Sequence, residues 1–375
     1  MLTEVPDYSW YAGCFGTATG NLMGFWDRHG FPNMYTGPTS GGIAPLNSEG
    51  ANEGIRSMWA SRAGFDGRPS DQYGHIDDYW RFYQSDGVSS YESTAPDNYL
   101  IQGRSEHAPD CVCDFIGASQ NKWKDLNGEC DGNIDAYAVT YWDHSGARRT
   151  NFIPPPQGEL SVRDLPSGLR VWTQHRGYDA DVFSQLADFN PTVPPGQGFT
   201  FAELKAEIDA GYPVMLFLQR FNKFFRPLAN MSRANPSVHG MLAFGYLITD
   251  DGRQFVRYRT SWGGSGDHRI RAWNSDDWEA DLPVRGVIGY HPLPRITGVQ
   301  RTNDSLTVKW DGPSSTLNDI NTGKATVVHV YVLEKSRTLD SGNFVAISQP
   351  TTKREATLTN CCEATTFFRV RLLPP

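Results

Sequence analysis

Two short stretches of the chain carry residue types that do chemistry together: Gly13-Cys14-Phe15 near its start and Val238-His239-Gly240 far downstream. A thiolate attacks carbonyl carbon, and an imidazole takes and returns the proton. A cysteine entering a helix and a histidine opening a strand are therefore the two halves of a nucleophile and its base, once folding joins them. Neither residue is informative alone, since a free cysteine is commonly a small core residue. The chain around them singles them out.

After Cys14, the residues Ala18, Leu22, Phe25 and Trp26 recur at i, i+4, i+7 and i+8. That spacing predicts an amphipathic helix, ended by His29-Gly30 and Pro32. At its first turn, unpaired N–H groups and the positive end of the helix dipole favour thiolate, so a low Cys14 pKa is expected. Downstream, Thr200-Phe201-Ala202-Glu203 has the spacing of a capping box, opening a helix that ends at Gly211. Gly211-Tyr212-Pro213 leads into an apolar run of strand length, Val214 to Leu218. A loop from Gln219 to Ser237, rich in Phe and Pro, offers a wall for a substrate cleft, and His239 follows it. Met241 to Ile248 and Phe255 to Thr260 read as a hairpin about Asp250-Asp251-Gly252, which returns Thr260 to the neighbourhood of His239.

In order and spacing, Val5-Pro6, Gly13-Cys14, Gly24 to Asn33, Gly74 to Trp80, Cys113 to Gln120 and Ala210 to Val214 resemble the papain superfamily of cysteine peptidases. The closest likeness is to its bacteriocin-processing-like bacterial branch, over roughly residues 5 to 265. The resemblance implies a central helix packed on an antiparallel sheet or barrel, with Cys14 as nucleophile and His239 as base. It implies a protein or peptide substrate, with no cofactor and no metal. In this family an Asn or Asp ahead of Ser-Trp or Thr-Trp orients the histidine; the matching residue is Thr260, before Ser261-Trp262, with Trp262 shielding the contact. The family also places a Gln shortly before the cysteine to donate to the oxyanion, yet none of the thirteen residues before Cys14 is Gln or Asn. Tyr8 or Ser9 stand in for it, beside the Cys14 backbone N–H. With two customary groups altered, a working Cys-His dyad stands beside a catalytically impaired protein that holds peptides or a partner in the same groove. A thiol-dependent acyl transferase or amidase is a third reading, because the dyad does not define the leaving group.

At 375 residues the chain is too long for one small core, which predicts two domains. Hydrophobic content of 39% and charged content of 20% describe a soluble globular protein, and no apolar run is long enough for a membrane span. A net charge of −8 without a Lys/Arg cluster argues against nucleic acid as a partner. With 37 Gly, 24 Pro and few long helical patterns, an α+β or β-rich architecture is expected. Cys111 or Cys113 could close a short loop with Cys130, which points to an oxidising, extracellular or cell-surface location. Zinc on those three lacks a Cys-x-x-Cys pair, and adjacent Cys361-Cys362 read as two thiols. Met1 to Glu4 lacks the basic and apolar regions of a signal peptide. Oxygen-bearing side chains alternate from Asp125 to Asp135 as in the early positions of a calcium loop. Ala136 and Trp142 stand where that loop needs Gly and Glu, so a solvated acidic turn is the better reading. His75-Asp77-Asp78 reads as a hydrogen-bonded turn rather than a ligand set.

Other expected elements are a helical piece at Glu53 to Ala60, strands at Ala136 to Trp142 and Gly168 to Trp172, and a short helix at Asp181 to Leu186. Beyond residue 291 short strand-like runs recur: Ser305 to Trp310, Ala325 to Leu333, Phe344 to Ser348, Ala356 to Thr359 and Thr365 to Leu372. Such spacing predicts an all-β sandwich that resembles a fibronectin type III module, with Trp310 and Tyr331 in its core and without that module's usual last strand. The expected division is residues 1–291 for the papain-like domain and 292–375 for the sandwich, whose implied role is attachment to a surface, a polymer or a partner.

Overall fold

The computed structural model describes residues 1–9, 13–35, 43–47, 111–118, 130–132, 138–154, 163–219, 238–264, 266, 269–318, 325–359 and 366–373. The helical piece at 53–60, the turn at 75–78, most of the acidic run at 125–135, the loop wall at 220–237 and Cys361-Cys362 lie outside the described residues. So does the Cys130 side chain, and with it the pairing of Cys130 with Cys111 or Cys113.

Chain order runs α1 (Cys14–Arg28), α2 (Val112–Phe115), β1 (Cys130–Gly132), β2 (Val139–Tyr141), β3 (Arg149–Thr150), α3 (Leu165–His175), β4 (Ala180–Leu186), α4 (Phe201–Asp209), β5 (Val214–Gln219), β6 (Val238–Ile248), β7 (Gln254–Arg259), β8 (Ile270–Ala272) and β9 (Val284–Pro292). The architecture is mixed α+β and mostly antiparallel. Seven strands form one antiparallel sheet in the order β3-β4-β9-β5-β6-β7-β8.

Period-two alternation splits the sheet's side chains between two cores. Met215, Phe217, Val238, Leu242, Phe244, Ile288 and Tyr290 face α1 and α3 in one cluster. Leu216, Leu218, Met241, Ala243, Val256 and Val287 meet α4, Trp273 and Trp278 on the other side. The stripe on α1 predicts a half-exposed helix, but every residue from Cys14 to Asp27 is buried. The polar ones are held by local bonds. Asn21 Oδ1 accepts the Tyr8 N–H at 2.9 Å, and Asp27 accepts the N–H groups of Ala44 at 2.9 Å and Tyr35 at 3.2 Å. Thr17 donates its hydroxyl to Gly13 O at 2.9 Å. Residues 1–9 and 43–47 thus cover the face of α1 that the sheet does not.

Two local expectations exchange places. Gly168 to Trp172, read as a strand, lies inside α3, because the Asp164 carboxylate caps it by accepting Ser167 N–H and Pro166 stands in its first turn. Asp181 to Leu186, read as a helix, is β4, paired in register with β9 from Ala180↔Pro292 to Leu186↔Gly286. Long-range pairing overrides the local pattern there.

Only Leu293 and Pro294 separate β9 from β10 (Arg295–Arg301), the first strand of a second unit. It continues with β11 (Ser305–Asp311), β12 (Thr316–Asn318), β13 (Ala325–Val327), β14 (Val330–Ser336), β15 (Val345–Ala346), β16 (Glu355–Thr359) and β17 (Phe367–Leu373). Two three-stranded sheets, β10-β11-β16 and β15-β14-β17, share one apolar cluster of Leu306, Val308, Trp310, Tyr331 and Leu333. The Trp310 and Tyr331 rings meet edge-on at 5.6 Å.

This second unit docks on the C-terminal end of α1. Gly312 N–H donates to Gly30 O at 3.2 Å and Ser314 N–H to His29 O at 2.9 Å, while Tyr178 donates to Asp311 at 2.9 Å. The approach at Gly30 is so close that a Cβ would stand 1.9 Å from Gly312 O. Further along, the Tyr212 ring lies between those of His291, at 4.2 Å, and His329 of the second unit, at 5.3 Å, tilted to both. Among the described residues no helix is long and apolar enough to cross a membrane.

Candidate active site

Cys14 is the first residue of α1, following Gly13 at φ 85°, and its thiol is free. The backbone N–H groups of Gly240, Phe15 and Cys14 face the sulfur. Contact with Gly240 joins two stretches more than two hundred residues apart. Only the His239 carbonyl carbon separates the Gly240 nitrogen from the His239 Cα, so the sulfur faces the main chain beside His239. Phe15 seals the junction: it packs on Phe217 at 4.8 Å, and a Cβ at Gly240 would stand 2.4 Å from its ring.

His239 is fully buried at the start of β6, opposite Leu218. Its Nε2–H donates to the Thr260 carbonyl at 2.7 Å. That bond fixes the tautomer and leaves Nδ1 as a lone pair, and Nδ1 has no hydrogen-bond partner. Trp262 lies flat on the imidazole, with centroids 4.6 Å apart and planes at 12°. Thr260 therefore reaches the ring through its backbone carbonyl rather than its hydroxyl, and the hydroxyl accepts Trp262 N–H at 3.2 Å. A main-chain carbonyl is available at any residue, so sequence had no means of marking it.

The ionisation expected of Cys14 is reversed. Burial pushes the thiol up to about 11, against the smaller opposing pull of the Gly240, Phe15 and Cys14 N–H groups. The thiol is 5% exposed, so removing thiolate from water outweighs the helix terminus. His239 is likewise pulled down to about 4 by burial, with the Thr260 carbonyl opposing. No hydrogen bond joins thiol and imidazole. Alternation along β6 supplies the reason: Val238, Gly240 and Leu242 form the row toward α1, whereas His239 belongs to the other row and turns to Thr260 and Trp262. At rest the thiol and the imidazole are each neutral, not an ion pair.

The proposed oxyanion helpers are placed differently from expectation. Tyr8 is buried, donates its hydroxyl to Pro45 O at 2.7 Å, and that oxygen would stand 2.6 Å from a Cβ at Gly24. Gly24 lies about 15 Å along α1 from Cys14 at 1.5 Å per residue, so Tyr8 has no reach to the sulfur. Ser9 lies under Gly263, its Cα 2.6 Å from where a Cβ would be, hence beside Trp262. Arg259, which the sequence did not single out, ties this corner together by donating to Val5 O at 2.7 Å and Gly266 O at 2.5 Å. Among the described residues no three His, Cys, Asp or Glu side chains converge to hold a metal ion.

No family model matches the chain, and neither a curated protein nor a solved structure matches it. The functional reading therefore rests on the site.

Proposed function

We propose that the protein is a papain-like cysteine peptidase in which Cys14 attacks a peptide carbonyl and His239 accepts the thiol proton at Nδ1 and passes it to the leaving amine. The single observation that carries this is the free sulfur at the first turn of a buried helix, beside the backbone N–H of Gly240, whose chain neighbour His239 has one ring nitrogen anchored on the Thr260 carbonyl and the other unpartnered. Because both groups are neutral at rest, proton transfer accompanies attack, in the manner of a general base rather than a preformed thiolate. Thr260 orients the ring through its carbonyl and Trp262 excludes water from that bond. The second unit, with two sheets of three antiparallel strands about one core, supports a fibronectin type III-like sandwich over residues 292–375, which would hold the enzyme on a surface, polymer or partner of an extracellular or cell-surface protein.

The absence of a thiol–imidazole bond favours a second reading, a catalytically impaired protein that holds extended peptides in the groove. Casein and a peptide library separate the two. Hydrolysis by the native chain that disappears in both Cys14→Ala and His239→Gln supports the peptidase. Saturable peptide binding with every substrate intact supports the binder. Transfer of an acyl group to an added amine in place of water points to an acyl transferase.

A further inference from the structure

Tyr8 supplies no side-chain donor for the oxygen of the attacked carbonyl, since its hydroxyl is committed to Pro45 and lies over Gly24, and Ser9 lies under Gly263 beside Trp262. We propose that Gln219 supplies this donor; the assignment rests on the reading of Cys14 as the nucleophile. β5 ends where β6 begins, with Phe217 opposite Gly240 and Gln219 opposite Val238. Phe217 and Gly240 both lie against Phe15, the neighbour of Cys14. Two residues further on, roughly 7 Å along the strand and on the same face, Gln219 and Val238 step past Phe15 toward the start of α1. Val238 belongs to the same apolar cluster as Cys14 and Phe15, which confirms that this row faces the helix.

The state of the amide points the same way. The Gln219 main chain is fixed by its N–H donating to Pro283 O at 3.1 Å. Its Oε1 is buried and accepts no hydrogen bond, while the residue as a whole is only half-buried. The NH2 end is thus the part left open, and a buried amide oxygen without a partner is costly unless the group has a task. In the reaction the Cys14 sulfur forms a bond to the carbonyl carbon and the carbonyl π pair moves onto oxygen. The thiol proton goes to His239 Nδ1 and then to the departing amine nitrogen as the C–N bond breaks. The resulting thioester is released by water. Gln219 Nε2–H and the Cys14 backbone N–H would hold the negative oxygen in the tetrahedral intermediate, two donors being what such a centre needs.

The test compares Gln219→Leu and Gln219→Glu with the native chain in three measurements: kcat and KM on a cleaved peptide, affinity for a peptide aldehyde, and the rate of Cys14 alkylation by iodoacetamide. The aldehyde builds an oxyanion on carbon bonded to sulfur, whereas iodoacetamide reacts at saturated carbon and builds none. Loss of one oxyanion donor should lower kcat about 10²–10³-fold, weaken the aldehyde in parallel, and leave alkylation within about twofold. A native chain that cleaves peptide, with Gln219→Leu equal to it in kcat and aldehyde affinity, overturns the Gln219 assignment while the nucleophile stands. Parallel loss of all three measurements marks Gln219 as structural and also overturns it. A native chain that neither cleaves peptide nor takes up aldehyde overturns the peptidase reading, and the Gln219 assignment with it.

Discussion

Raising pH across the alkylation profile of Cys14 tests the neutral-pair chemistry directly. With the thiol pushed up to about 11, the thiolate fraction at pH 7 is about one in 10⁴, against about 3% for an ordinary thiol of pKa 8.5. Alkylation of Cys14 at pH 7 should therefore run roughly 300-fold slower than that of glutathione, before any further slowing from its 5% exposure. The rate should rise about tenfold per pH unit up to about pH 10, with no shoulder lower down. A thiolate–imidazolium pair behaves otherwise: its rate reaches a plateau on the acid side and exceeds that of the reference thiol at neutrality. Second-order rates with iodoacetamide from pH 5 to 10, read by peptide mass mapping of the Cys14 peptide, distinguish the two. A plateau below pH 7, or a rate at pH 7 matching glutathione, would refute the idea that burial controls this thiol.

Three further outcomes follow from the same geometry. Gly30→Ala should destabilise the docking of the second unit by roughly 3–5 kcal/mol, from strain at φ 119° and the loss of two main-chain bonds; an unchanged urea midpoint and unchanged protease resistance at Leu293-Pro294 would show that the units do not meet there. Acid should loosen the protein. His239 and His329 are both pulled down to about 4, each by burial, and His329 also by the neighbouring His291. A group depressed in the fold adds stability that is present above its ordinary pKa near 6.5 and is lost as pH falls from there through about 4. Melting temperature should thus drop between pH 6.5 and 4, less steeply in His329→Phe, and a flat curve would contradict the burial of both imidazoles. Thr260→Ala should lower kcat by less than about tenfold, because the carbonyl that holds His239 survives, whereas Trp262→Ala, which opens that bond to water, should cost more; the reverse order in steady-state rates would show that the hydroxyl orients the ring.

Much of this frame was legible in the sequence because local signals and tertiary demand agreed. The stripe on α1, the Thr200 capping box of α4 and the Gly252 turn between β6 and β7 each form where their residues require them. Agreement failed where the partner was distant. The pattern of β4 is helical in spacing but is governed by pairing with β9, a strand more than a hundred residues later whose own run reads as a domain edge. The candidate site divides along the same line. Cys14 and His239 are marked by residue type and by what flanks them. The Thr260 carbonyl and the Gly240 N–H are main-chain groups with no residue signature, and the burial that sets both ionisations is a property of the assembled core. Gln219 was read only as the start of a loop, since its value depends on the register of β5 against β6.

Trapping the acyl intermediate tests the central claim most directly. Incubating the protein with an activated peptide ester and measuring intact mass after acid quench should reveal one acyl group, mapped to Cys14, whose release is slowed in His239→Gln and which is absent in Cys14→Ala. Ester turnover that persists in Cys14→Ala, or an adduct on any other residue, would contradict the assignment of Cys14 and His239 as nucleophile and base.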